Sequence, residues 1–336
     1  MNDTTSGHAR PGPPCRSRRR QVRASRAWTS VLRRAAVVLA AVLVVPAVEA
    51  GEAVALPAPA VALPAPAVVA AGPVAAGPAV TVGGYAALGD SFSAGVGTSA
   101  GEGAPAVGTG TGVDDDGAPC RRTALAYPVL WAGGHPGTRL SFLACSGARI
   151  STVRSRQLPQ VPRDSTLITV TMGGNDVGFA AVVGVCAFAS KDRACTLAMA
   201  VARVVAMTDV PVQLALTLTA IKAWAPRARL VVLGYPRLFE LGPCPGTAPD
   251  VARRRALNDG TDLLDGVLAR TSGLFGATFV DVRGRFAGHG LCAPDGQSWI
   301  NGPGDRNAYH PTAAGQARGY LPALDPLVRP HPGAGR

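Results

Sequence analysis

The chain has 336 residues, with 33 lysines and arginines against 21 aspartates and glutamates, a formal charge of +12. Nine of the basic residues and only one acidic residue lie in residues 1–34, so the remainder carries +4 and shows no basic stripe interleaved with aromatics, which argues against a nucleic-acid partner. The first eighty residues differ in composition from the rest, leaving a folded portion near 250 residues, the size of one α/β domain.

The arginine-rich start is followed by AAVVLAAVLVVPAV, from Ala35 to Val48, and then by the small-residue sequence VEA. A basic start, an apolar middle and small residues before a cut after Ala50 make residues 1–50 a secretory signal. Pro46 and Glu49 interrupt an apolar run already short of the roughly 20 residues a spanning helix needs. Residues 51–81, with the near repeat ALPAPAVALPAPAV, read as an Ala/Pro-rich linker. Residues 82–328 are then the domain, and the Pro- and Gly-rich residues 329–336 a flexible tail. Cys15 falls in the leader, and six cysteines follow: Cys120, Cys145, Cys186, Cys195, Cys244 and Cys292. An even number in an exported chain points to three disulfides, and no spacing resembles a C-x-x-C metal cluster, so no metal or cofactor is expected. Six cysteines allow 15 pairings, and the count chooses none of them.

In chain order the predicted strands are Tyr85 to Leu88, Arg139 to Leu143, Thr166 to Met172, Arg229 to Leu233 and Thr278 to Val282. TLITVTM and RLVVL are nearly continuous apolar runs, as in strands buried on both faces. Predicted helices are Cys195 to Trp224, Asp250 to Thr271 and Thr312 to Leu327; for the apolar stretch from Ala198 to Leu218 core packing ranks first, and a wall of an acyl site second. Alternation of strand and helix predicts an α/β fold with a parallel sheet between helices, whose reactive groups collect at the carboxyl ends of the strands. Those ends carry GDS with Ser91, ACSG with Gly147, and GGND with Asn175 and Asp176; the last helix follows YHPTAAG with His310. Asp90 and Asp176 are each expected to hydrogen-bond their own turns. The run Asp114 to Asp116 reads as a solvated loop, since its spacing does not match the EF-hand.

GDSFSAG around Ser91, FLACSGA with Gly147, GGND with Asn175 and the HP pair His310 and Pro311, in that order, resemble the blocks of the SGNH, or GDSL, family of esterases and lipases. The similarity is greatest to the family's secreted actinobacterial lipases and esterases. It implies a three-layer α/β/α, flavodoxin-like fold with a five-stranded parallel sheet. It also implies disulfides between sequence neighbours: Cys120 with Cys145, Cys186 with Cys195, Cys244 with Cys292.

Acyl transfer needs a hydroxyl nucleophile, a base that titrates near neutrality and donors aimed at the developing oxyanion. Ser91 fits the first need and His310 the second; His8, His135, His289 and His331 lie in the leader, Gly-rich loops or the tail. The resemblance makes the N–H of Ser91, the N–H of Gly147 and the amide of Asn175 the oxyanion hole. The family pattern D-x-x-H has Asn307 at its acidic position here, and the nearest acid is Asp305, five residues before the histidine. A main-chain carbonyl, of Asn307 or Ala308, ranks first for orienting the imidazole, and Asp305 second. The expected function is a secreted esterase or lipase acting on lipid or short-to-medium acyl esters, monomeric and in transient contact with a lipid surface. The alternatives are a polysaccharide deacetylase of the same family and a non-catalytic secreted binding protein on the same scaffold.

Overall fold

The computed structural model describes residues 83–98, 120–188, 192–244 and 248–324. The leader, the linker, the Asp114 to Asp116 loop and the tail lie outside the described residues.

Five strands form one sheet: β1 (Gly84–Gly89), β2 (Arg139–Phe142), β3 (Leu167–Thr171), β4 (Arg229–Leu233) and β5 (Thr278–Val280). Every pairing is parallel, and the order across the sheet is β2-β1-β3-β4-β5. The chain leaves β1 for β2 on one side and returns for β3 on the other, so the topological switch point lies at the carboxyl end of β1, where Ser91 follows. β1 and β3 are buried throughout, as their small and β-branched residues allow, whereas β5 is half-buried at an edge. β5 stops two residues short of the predicted end because Asp281 turns the chain, its Oδ1 accepting from the Arg283 N–H at 2.9 Å.

The helices are α1 (Ser91–Ala94), α2 (Tyr127–Gly133), α3 (Ile150–Thr152, continued by wider and tighter turns through Gln160), α4 (Phe179–Phe188), α5 (Asp192–Trp224), α6 (Val251–Leu274) and α7 (Gly315–Tyr320 followed by Leu321–Leu324). α2 packs with α7, while α5 packs with α3, α4 and α6, which completes the three-layer α/β/α arrangement. The opening of α7 is a π turn rather than the regular helix predicted from Thr312. The Phe286 ring presses against it so closely that a Cβ on Gly319 would overlap the ring atoms. α4 escaped prediction because FAAVVGVCAF is apolar all round and carries no helical period.

Core packing does not account for all the apolar residues of α5. Val210, Leu214 and Leu218 are buried, but Leu197, Val201, Val204, Met207, Val212 and Leu216 are all more than half exposed. The buried side packs toward α3, α4 and α6, and this stripe has no protein cover among the described residues. The three disulfides join Cys120 to Cys145, Cys186 to Cys195 and Cys244 to Cys292, the pairing that the resemblance implies. The second of them ties α4 to the first turn of α5.

Candidate active site

β1 ends at Gly89 because only glycine fits there. Its φ is +119°, and a Cβ would collide with the Thr171 carbonyl oxygen. Gln157 grips both backbone groups of Gly89 from α3, its Oε1 accepting from the Gly89 N–H at 2.7 Å and its Nε2 donating to the Gly89 carbonyl at 2.9 Å. Asp90 then caps α1, accepting from the Phe92 N–H at 3.0 Å, and Ser91 opens the helix. Asp90 is buried, and Thr171 donates to its Oδ1 at 2.7 Å while Tyr235 donates to its Oδ2 at 2.5 Å. Burial pushes the Asp90 carboxyl up to about 6 in spite of these donors. Gln316 fixes the far side of the turn, joining the Phe92 carbonyl to the Tyr127 N–H at 3.0 Å each.

His310 reaches Ser91 from the loop before α7, with Nε2 2.9 Å from Oγ. Its Nδ1 faces two main-chain carbonyls, Ala308 at 3.0 Å and Asn307 at 3.3 Å, which fixes the proton on Nδ1 and leaves the Nε2 lone pair toward the serine. Burial lowers the His310 pKa, and the nearby Arg121 charge lowers it further. Asn301 anchors this loop, its Nδ2 donating to the carbonyls of His310 at 3.0 Å and Gly97 at 2.9 Å. Asp305 does not join the imidazole. It is exposed, and its Oδ1 accepts from the Asn307 N–H at 2.6 Å, so it shapes the turn that presents the carbonyls. Among the described residues no carboxylate hydrogen-bonds to His310.

Gly147 has φ +84°, and neither its N–H nor that of Ser91 has an acceptor among the described residues. The Asn175 amide lies beside this loop, donating from Nδ2 to the Ala148 carbonyl at 3.0 Å. The Cys120–Cys145 bridge, two residues before Gly147, closes the loop covalently. Asp176 does not bond its own turn as its main contact; its carboxylate accepts from the Ile150 N–H at 3.1 and 3.3 Å and so caps α3. Burial raises its pKa.

Tyr235 was missed from the sequence, although it sits just past the carboxyl end of β4, where the strand-end rule points. Its hydroxyl accepts from the Gly174 N–H at 3.1 Å while donating to Asp90, so one oxygen sets the GDS turn against the GGND loop. Gln157, Gln316 and Asn301 carried no local signal, being single amides in unpatterned stretches. His135 and His289 stack on Trp131 and Trp299 and take no part.

The arrangement supplies a hydroxyl with a base at hydrogen-bond distance and a neutral orienter for that base. The model of the GDSL-like lipase/acylhydrolase family matches residues 87–318, a span that takes in every one of these groups. The chain belongs to that family of carboxylic ester hydrolases. It is similar to a lipase of Streptomyces rimosus, 40% identical over 244 residues covering 72% of this chain and 85% of the relative. Lipase 1 of Streptomyces coelicolor is 39% identical over 246 residues, with the same coverage. Among solved structures, the extracellular lipase of S. rimosus aligns with a TM-score of 0.63 over 72% of this chain and 97% of its own. The phospholipase A1 of Streptomyces albidoflavus aligns at 36% identity and a TM-score of 0.64, over 73% of this chain and 98% of its own.

Proposed function

We propose that the protein is an exported serine esterase that hydrolyses lipid or short-to-medium acyl esters through an acyl-enzyme on Ser91. The observation that carries the reading is the 2.9 Å contact between Ser91 Oγ and His310 Nε2, in a ring whose other nitrogen is held by carbonyls. In this reading Ser91 Oγ attacks the ester carbonyl carbon and its proton passes to Nε2. The tetrahedral oxyanion takes hydrogen bonds from the Ser91 N–H, the Gly147 N–H and the Asn175 amide. The bond to the leaving alcohol breaks as His310 returns the proton to that oxygen. Water then attacks the acyl carbon, gives a proton to Nε2, and the Ser91 ester breaks as Oγ regains it. The Ala308 and Asn307 carbonyls hold the tautomer, and, being neutral, stabilise the imidazolium less than a carboxylate would.

The three disulfides and the composition of residues 1–50 support export, with residues 82–328 as the working domain. The names of the relatives, a lipase and a phospholipase A1, support a lipid ester, as does the uncovered apolar stripe of α5, which suits contact with lipid aggregates. The test is p-nitrophenol release from acetyl, butyryl, octanoyl and palmitoyl esters by the oxidised protein. Loss of all activity in both Ser91→Ala and His310→Ala is expected; full activity in either variant overturns the reading.

A further inference from the structure

A cavity of about 330 Å³ lies between α4, α5 and α6, a volume within the range of small-ligand sites. Its walls come from side chains such as Val177, Val182, Met199, Ala206, Leu257 and Leu264. Neither Ser91 nor His310 lines it. Its inner end is instead formed by Phe92, Gly174 and Tyr235, and Phe92 and Gly174 are the chain neighbours of Ser91 and Asn175. Phe92 both lines the cavity and touches the base: its ring stands 5.3 Å from the His310 ring and 5.0 Å from the Tyr235 ring, centre to centre. The exposed residues Arg203 and Asp259 also line it, so the space is a passage that joins the molecular surface to the residues behind the nucleophile turn.

We propose that this passage takes the acyl chain of the substrate, with Phe92 as the shutter between it and Ser91 and with Met199 and Gly260 setting its bore. The inference rests on the serine-esterase reading and narrows its substrate to flexible aliphatic acyl esters. The chemistry of the walls is what selects the occupant. Away from Arg203 and Asp259 the lining has almost no free polar group, and the one hydroxyl at the inner end, that of Tyr235, is already committed to Asp90 and Gly174. A sugar ring moved into such a space would leave its hydroxyls without partners, a penalty an alkyl chain does not incur. The passage exists because α5 and α6 face each other with small residues, Ala202 and Ala206 against Ala256 and Gly260. Met199 reaches over that gap so closely that a Cβ on Gly260 would lie 2.7 Å from its Cε. Gly174 keeps the doorway clear, since a Cβ there would come within 3.3 Å of the Tyr235 ring. Each methylene of an acyl chain buried in the passage improves transition-state binding by up to about fourfold.

The test is the ratio of kcat/KM for octanoyl to acetyl p-nitrophenyl ester in the wild type, in Ala206→Phe, which fills the passage, and in Met199→Ala, which widens it. The ratio is expected to fall at least about tenfold in Ala206→Phe and to rise severalfold in Met199→Ala. Ratios within twofold of wild type in both folded variants overturn the proposal. If circular dichroism shows that Ala206→Phe does not fold, Met199→Ala decides alone, and an unmoved ratio there overturns it. The parent reading fails separately: acetyl-ester hydrolysis that survives Ser91→Ala sinks the mechanism whatever the ratios, while serine-dependent hydrolysis with unmoved ratios sinks only the passage.

Discussion

Replacing Tyr235 by phenylalanine deletes a single oxygen that serves two loops. That oxygen donates to Asp90 at 2.5 Å and accepts from the Gly174 N–H at 3.1 Å, where Asp90 and Tyr235 are both buried. Its loss removes a hydrogen bond to a charged acceptor, about 1.5–3 kcal/mol, and strands a buried N–H, which costs about 1–3 kcal/mol. The two losses overlap, so about 3 kcal/mol is the working figure, or about 6–12 °C in Tm for a domain of this size. The deficit is also pH-dependent. Burial raises the Asp90 carboxyl from 3.8 to about 6, while hydrogen bonds from Tyr235, Thr171 and the Phe92 N–H oppose the rise. The native state therefore keeps a proton that the unfolded chain has released between about pH 4 and 6, so stability falls as pH rises through that window and levels off above it. Without Tyr235 the carboxyl rises further, the window extends above pH 6, and the variant loses more at pH 8 than at pH 5. Thermal unfolding of both proteins at the two pH values measures this. A Tm drop below about 2 °C at pH 8, or a deficit no larger there than at pH 5, refutes the reasoning.

Because burial lowers the His310 pKa, the ascending limb of kcat/KM against pH is expected below 6.5, the ordinary histidine value; a limb above it contradicts the burial argument. Asn175→Ala is expected to lower kcat about 100- to 1,000-fold with little change in KM, as loss of one oxyanion donor does, and steady-state kinetics on a soluble ester would show it. Asp305→Asn is expected to stay within about threefold of wild-type kcat/KM, because neutralising a carboxylate that orients a catalytic histidine costs about 10⁴ and this carboxylate has no bond to the imidazole. A hundredfold loss there would return Asp305 to the catalytic assembly.

The sheet was legible because TLITVTM and RLVVL are nearly continuous apolar runs without a charged alternation, as in a strand covered on both sides. Ser91 and His310, which the structure brings to 2.9 Å, stood out in the sequence because each lies in a short block at a strand end or before a helix, while Gly147 and Asn175 were singled out through the family resemblance of their blocks. The supports were not, for a physical reason: Gln157, Gln316 and Asn301 act on backbone 68, 224 and 204 residues away, contacts that leave no local period or motif. α5 misled for a related reason. Its apolar residues go all round the helix, so composition cannot separate the face that packs on α6 from the face left open. The orienter of His310 was undecided because a main-chain carbonyl has no residue type; only the backbone fold at Tyr309, with φ +66°, turns the ring back toward the Ala308 and Asn307 oxygens.

The most direct test of the account is to treat the oxidised protein with an alkyl organophosphonate and locate the adduct by peptide mass spectrometry. The account predicts one adduct per chain, on Ser91, formed much more slowly in His310→Ala and not at all in Ser91→Ala. An adduct on another residue, or esterase activity that outlasts complete labelling of Ser91, would contradict it.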